Sequence, residues 1–290
     1  MSTANPLGIH ALVWMGNTSP ASVEFAISKT QQVGYDLLEL SLHDSLNLDV
    51  AAARKQLAEA GLAVACFRGL AFDADVSSDD SETVARGEQL LQESLRITDE
   101  LGGTVLTGAL YSALGKYSHP LTETGRRNVV AVLKGLAKDA HNRGMTLGLE
   151  ICNRYETNVI NTAHDALRLA DDIGEDNVLI HLDTYHMNIE EDDFVRPVRE
   201  VGDRLGYVHI GENHRGYLGS GHLDFTSFFH ALADIGYTGP ITFESFSSAV
   251  VARGLSSDLA IWRNLWDDGE DLARHARSYM ADQIAASRSR

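Results

Sequence analysis

The sequence predicts an α/β fold of the (β/α)8 TIM-barrel type, a single domain over residues 1–290 with an extra C-terminal helical segment at about 256–286. Three observations lead there. Eight short apolar runs alternate with eight amphipathic stretches, the pattern of parallel strands joined by crossover helices. The first strand-to-helix turn lacks the G-x-G-x-x-G signature of a doubly wound dinucleotide fold, the main rival. Four strands, the fifth to the eighth, each end near a metal-ligating side chain, and a barrel builds its active site at that end.

Taken in order, the first strand spans 8–15, with Ile9, Ala11 and Val13 alternating against His10, Leu12 and Trp14. Ser19 and Pro20 start a helix that Gly34 stops. The second strand is 35–42, and Asp49 opens a helix ended by Gly61. Strand three, LAVACFRGL, follows at once, then an Asp- and Ser-rich loop at 71–82 and a helix from about Ser81 to Leu101. Gly102 and Gly103 precede strand four at 104–110; the segment 111–121 then leads into a helix over 122–143. Strand five is 145–151, followed by a helix near 162–173, strand six at 178–183, a helix near 190–204 and strand seven at 206–211. A glycine-rich loop, 212–223, and a helix at 224–235 lead to strand eight, ITFES. Trp262 and Trp266, one turn apart on the expected closing helix, would cover the barrel or form an interface.

A formal net charge of −17 argues against nucleic acid and anionic membranes, which demand clustered Lys and Arg, and favours cations and neutral small molecules. No apolar run is long enough to span a membrane and no N-terminal signal is evident, so the expected location is the cytoplasm. Two cysteines, Cys66 and Cys152, make no disulfide framework.

The stretch VLIHLDTYHMNIEE, Val178 to Glu191, is the most informative. Val178, Ile180 and Leu182 share one face, while His181 and Asp183 share the other. TLGLE ends in Glu150, YVHIGE carries His209 and ITFES carries Glu244, each opposite in parity to apolar neighbours. Any one of these alone reads more readily as a salt bridge or a polar contact in the barrel core; four at one height read as a site. Three carboxylates and an imidazole suit Mn²⁺, Mg²⁺ or Co²⁺, with positions left for substrate and water. Two glutamates flanking one carbon can remove and return a proton, while a metal polarises the adjacent carbonyl. That is the machinery for inverting a stereocentre beside a ketone. His181, below Asp183, reads as core or as support for a ligand.

The strings LEICNRYETN, HLDTYHMNIEE, GYVHIGENHR and ITFESF resemble the ketose 3-epimerase family of the xylose-isomerase-like barrels, which includes D-tagatose, D-allulose (D-psicose) and L-ribulose 3-epimerases. The resemblance covers nearly the whole chain, and E-x-x-N-R-[FY]-E followed by L-D-T-[FY]-H-M-N is specific. It implies one divalent metal per subunit, usually manganese, on Glu150, Asp183, His209 and Glu244. Glu150 and Glu244 would transfer the C3 proton through a cis-enediolate, with Glu156, His186 and Arg215 on the O1–O2 end of a free ketose. His10, Trp14, Glu39, Arg68, Gly69, Gly108 and Tyr111 are candidates for the far end of the sugar, Trp14 and Tyr111 serving equally as packing aromatics. A homodimer or homotetramer is implied as well. Aldose–ketose or hydroxypyruvate isomerisation on the same barrel is the rival chemistry. A metal-dependent nuclease would want more histidines and a basic surface. A non-catalytic sugar-binding barrel would be expected to lack Glu150 or Glu244, and both are present.

Overall fold

The structure, a computed structural model, describes residues 5–43, 45–258 and 260–289. Eight strands run parallel and close into a barrel: β1 (Leu7–His10), β2 (Leu37–Ser41), β3 (Ala63–Phe67), β4 (Val105–Gly108), β5 (Thr146–Glu150), β6 (Val178–Asp183), β7 (Leu205–Ile210) and β8 (Ile241–Phe243). β8 pairs back onto β1, so the barrel leaves no open sheet edge. Around it stand α1 (Pro20–Val33), α2 (Val50–Ala60), α3 (Ser81–Leu101), α4 (Glu123–Asn142), α5 (Ala163–Ile173), α6 (Thr184–Glu190), α7 (Val195–Val201), α8 (Phe225–Asp234), α9 (Arg253–Asp258) and α10 (Gly269–Arg288).

Strand parity divides the interior as the sequence predicts. Ile9, Leu38, Leu147, Leu149, Ile180 and Leu182 are buried in the core between sheet and helices. Residues of the other parity fill the barrel itself, where Leu37, Ala65 and Tyr207 form a separate small cluster. Space inside is short: a Cβ on Gly148 would come 2.4 Å from Thr107 Oγ1. The hydroxyl of Thr107 needs that room, because it also hydrogen-bonds His181 Nδ1 at 2.8 Å.

The helices start on side-chain caps: Ser19, Asp49, Asp80, Thr122, Thr162 and Asp224 each accept from a main-chain N–H of the first turn. Each such cap stabilises its helix by about 1 kcal/mol. Gly34, Gly61, Gly102 and Gly174 end helices in the left-handed conformation.

Three boundaries differ from expectation. β1 stops at His10, whose Nδ1 accepts from Leu12 N at 3.3 Å and turns Ala11–Val13 into a 3-10 helix. The helix expected near 190–204 is α6 and α7, because Asp183 caps α6 at the strand end and Asp193 accepts from Val195 N and Arg196 N to start α7. The closing helix expected over 256–286 is likewise divided, since Asp268 accepts from Glu270 N and Asp271 N and begins α10 there. Trp262 and Trp266 therefore lie between α9 and α10, the first 73% exposed and the second buried. Cys66 and Cys152 are free and buried. No helix among the described residues is long and apolar enough to cross a membrane.

Candidate active site

Register places the four expected ligands together. Asp183 pairs with His209 across β6 and β7, Glu150 pairs with His181 across β5 and β6, and Glu244 N donates to Ile210 O at 3.0 Å just beyond β8. Glu150, Asp183, His209 and Glu244 are all buried, and one donor atom from each lies within 4.8 Å of every other. His209 Nδ1 sits 3.4 Å from Glu150, 3.7 Å from Asp183 and 3.6 Å from Glu244, and it makes no hydrogen bond.

The other face of that imidazole is anchored. Glu39 Oε2 lies 2.7 Å from His209 Nε2 and also accepts from Tyr207 OH at 3.2 Å. Glu39 thus stands beneath His209 and fixes which nitrogen faces the carboxylates. His181 packs edge-on against His209 with ring centroids 4.2 Å apart; its Nδ1 is occupied by Thr107, and its buried Nε2 has no partner and lies in a second possible metal-holding group with Glu150 and His209.

The electrostatics match this geometry. Burial alone would keep His209 neutral, but Glu39, Glu244, Asp183 and Glu150 outweigh it and lift its pKa well above the ordinary imidazole value. Burial pushes Glu244 up to about 8, against the pull of Arg215 and His209. Burial also opposes ionisation of Asp183, yet Arg215, His186 and His209 together hold its pKa well below the usual range. An orphan imidazole nitrogen facing three buried carboxylates is a donor set that fits a hard or borderline divalent cation.

Above this cluster lies a small pocket lined by His10, Phe67, Glu150, His186, Glu244 and Phe246, among others. Glu156, Arg215 and Phe246 also border a wider cavity of about 530 Å³ that opens past Tyr185 and Trp262. The Arg215 guanidinium pairs with Glu244 and lies 3.4 Å from Asp183, stacked 3.8 Å from the Tyr185 ring centroid and 4.9 Å from that of Phe246. Its backbone holds a φ of 62°, left-handed for a non-glycine residue, and the Ser245 hydroxyl secures its carbonyl while Trp266 Nε1 donates to that hydroxyl at 2.8 Å. His10 is buried and neutral, burial pushing it down to about 4; because Nδ1 accepts from Leu12 N, the ring N–H is at Nε2, which has no protein partner.

Of the seven residues expected at the far end of the sugar, His10 lines the small pocket, while Trp14, Glu39, Arg68, Gly69, Gly108 and Tyr111 stand outside both linings. Trp14 donates its indole N–H to Thr30 at 3.1 Å, and Tyr111 donates to Glu150 O at 2.6 Å. Arg68 donates to Leu42 O, and Gly108 lies against the Arg68 carbonyl. Phe246 takes a place on the wall that sequence reading missed; it shares the parity of Glu244, two residues on, and that signal was available.

The xylose isomerase-like TIM barrel family matches residues 27–283. A ketose 3-epimerase of Arthrobacter globiformis is 47% identical over 280 residues, covering 97% of each chain. An L-ribulose 3-epimerase of Methylomonas sp. is 48% identical over 273 residues, 94% of this chain and 96% of that one. The crystal structure of a D-allulose 3-epimerase from Methylomonas sp. in complex with D-allulose superposes with a TM-score of 0.94 at 46% identity, covering 97% of both chains. This chain belongs to the ketose 3-epimerases. The epimerase is an isomerase on a TIM barrel, and its buried Glu/Asp/His cluster is able to hold a metal ion. Aldose–ketose isomerisation and mere sugar binding thereby give way to epimerisation.

Proposed function

We propose that the chain inverts C3 of free ketoses by proton transfer between Glu150 and Glu244 through a cis-enediolate, acting on pairs of the D-allulose/D-fructose, D-tagatose/D-sorbose or L-ribulose/L-xylulose type. The observation that carries this reading is that both glutamates belong to one buried cluster and line the same small pocket as His186, Glu156 and Arg215. A divalent cation held by Glu150, Asp183, His209 and Glu244 supplies Lewis acidity toward the ketone; manganese is the ion we assign, and Mg²⁺ or Co²⁺ suits the same donors.

The residues divide the remaining work. One glutamate takes the proton from C3 and the other returns one to the opposite face; in the reverse direction they exchange roles. His186 and Arg215 donate to sugar oxygens, Glu156 accepts from a hydroxyl, and the Nε2–H of His10 is offered to the rest of the chain of hydroxyls. Pairing into dimers or tetramers and residence in the cytoplasm complete this reading, with exposed Trp262 as the candidate contact.

The test is isotope exchange. Metal-loaded protein incubated with D-fructose, D-tagatose and L-ribulose in heavy water should place deuterium at C3 and produce the C3 epimer, read by NMR. Deuterium at C1 or C2 with aldose formation would overturn the assignment.

A further inference from the structure

The sequence strings 153–156 and 186–188 are far apart in the chain, yet the structure joins them through one buried side chain, Asn153. Its main-chain N–H donates to His186 Nδ1 at 3.2 Å, and its side-chain Nδ2 lies 2.8 Å from the same nitrogen. A main-chain N–H can only donate, so Nδ1 is the acceptor and the ring proton of neutral His186 is on Nε2. That Nε2 is 3.9 Å from Asp183 Oδ2, beyond hydrogen-bond reach, in a residue lining the small pocket.

The same amide serves Glu156. Asn153 Nδ2 donates to Glu156 Oε1 at 2.9 Å, leaving the other carboxylate oxygen for a ligand. Its amide orientation is fixed too, because Oδ1 accepts from Tyr155 N at 2.9 Å; a flipped amide would face that N–H with another donor and Glu156 with another acceptor. Next to it, Arg154 clamps the turn to α6, its main-chain N and its guanidinium each 2.7 Å from the Glu190 carboxylate.

We infer that Asn153 is a positioning residue that presets one donor, His186 Nε2–H, and one acceptor, Glu156, for the α-hydroxyketone end of the sugar. The match is chemical. A carbonyl oxygen at C2 accepts only, whereas the C1 hydroxyl has a proton to give; a pocket offering one donor and one acceptor reads that pair in one orientation. The inference rests on the epimerase reading above and adds a residue that touches neither the reacting carbon nor the ligand set. It also explains why the 153–156 and 186–188 strings belong together: they are two halves of one bracket.

Two variants test it, both in metal-loaded protein, on whichever of D-allulose and L-ribulose is turned over faster and on its 1-deoxy analogue. Asn153→Ala keeps the main-chain N–H on His186 but releases Glu156. It should lower kcat/KM on the ketose by about 10- to 100-fold, the range for a hydrogen bond to a charged group, and on the 1-deoxy analogue by less than about three-fold. Metal affinity by calorimetry should stay within about two-fold of wild type, since no ligand is touched. Asn153→Asp keeps the same main-chain N–H but sets a carboxylate against the Nδ1 lone pair and against Glu156, so activity should fall on both substrates. Equal losses on the two substrates in Asn153→Ala, a loss of metal affinity, or wild-type activity in Asn153→Asp would overturn the role. Failure of the epimerase reading is seen separately, as absence of C3 exchange in wild type.

Discussion

At the scale of single residues, the buried cluster able to hold a metal was legible in the sequence, and the role of Glu39 beneath it was not. Alternation along β5 to β8 tells which side chains face the barrel interior, and Glu150, Asp183, His209 and Glu244 follow from it. Alternation says nothing of height, so Glu39 reads as another wall residue until register sets it beside His10 and below His209. Its role gives a direct expectation. Glu39→Gln keeps an acceptor for His209 Nε2 but removes the charge, and should weaken metal binding by roughly 10- to 100-fold, measured by calorimetry. Binding should also release protons. The metal-free cluster holds one on His209, whose pKa the carboxylates lift well above normal, and one on Glu244, which burial pushes up to about 8. A cation has to displace both, so affinity should rise with pH through the range around 8 where Glu244 titrates, and calorimetry in buffers of different ionisation enthalpy should show the release. Affinity flat across that range would mean that both groups are already deprotonated without metal.

Among elements, helix starts were readable because Ser, Thr and Asp caps act within one turn. The errors came where one residue serves two elements. Asp183 ends β6, faces His209 and caps α6 through Tyr185 N at 2.6 Å, so a segment that reads as the ragged end of a strand is a helix. Gly108 is a similar case on β4. Expected to border the sugar, it has a backbone requirement of its own that the strand pattern does not reveal: its φ is 119°, and a Cβ there would lie 2.4 Å from the Arg68 carbonyl oxygen. Arg68 N donates to Thr107 O at 2.8 Å, so neither strand end can withdraw without losing that bond. Gly108→Ala should therefore destabilise the protein by about 1–3 kcal/mol, read from the denaturant midpoint with an unchanged slope. A variant as stable as wild type would show that the β3 and β4 ends yield freely.

For the molecule as a whole, eightfold alternation sufficed to give the barrel, because parallel strands joined by amphipathic helices have few ways to close around one core. What no pattern in one chain records is how much of the stability depends on an ion. The net charge of −17 has a concentrated counterpart inside the barrel, where Glu39, Glu150, Asp183 and Glu244 are all buried and face the positive charge of Arg215 and His209. Carboxylates so placed repel one another unless protons or a cation neutralise them, and a cation that binds only the folded chain adds stability by mass action. At a hundred times its dissociation constant a metal contributes about 2.7 kcal/mol, which for a chain of this size raises the melting temperature by roughly 4–5 °C. Scanning the manganese-loaded protein against chelator-treated protein should show that difference, restored by adding the ion back. An unchanged midpoint would mean that Arg215 and His209 already balance the cluster, and that the four residues form an ion-paired core in place of a cation site.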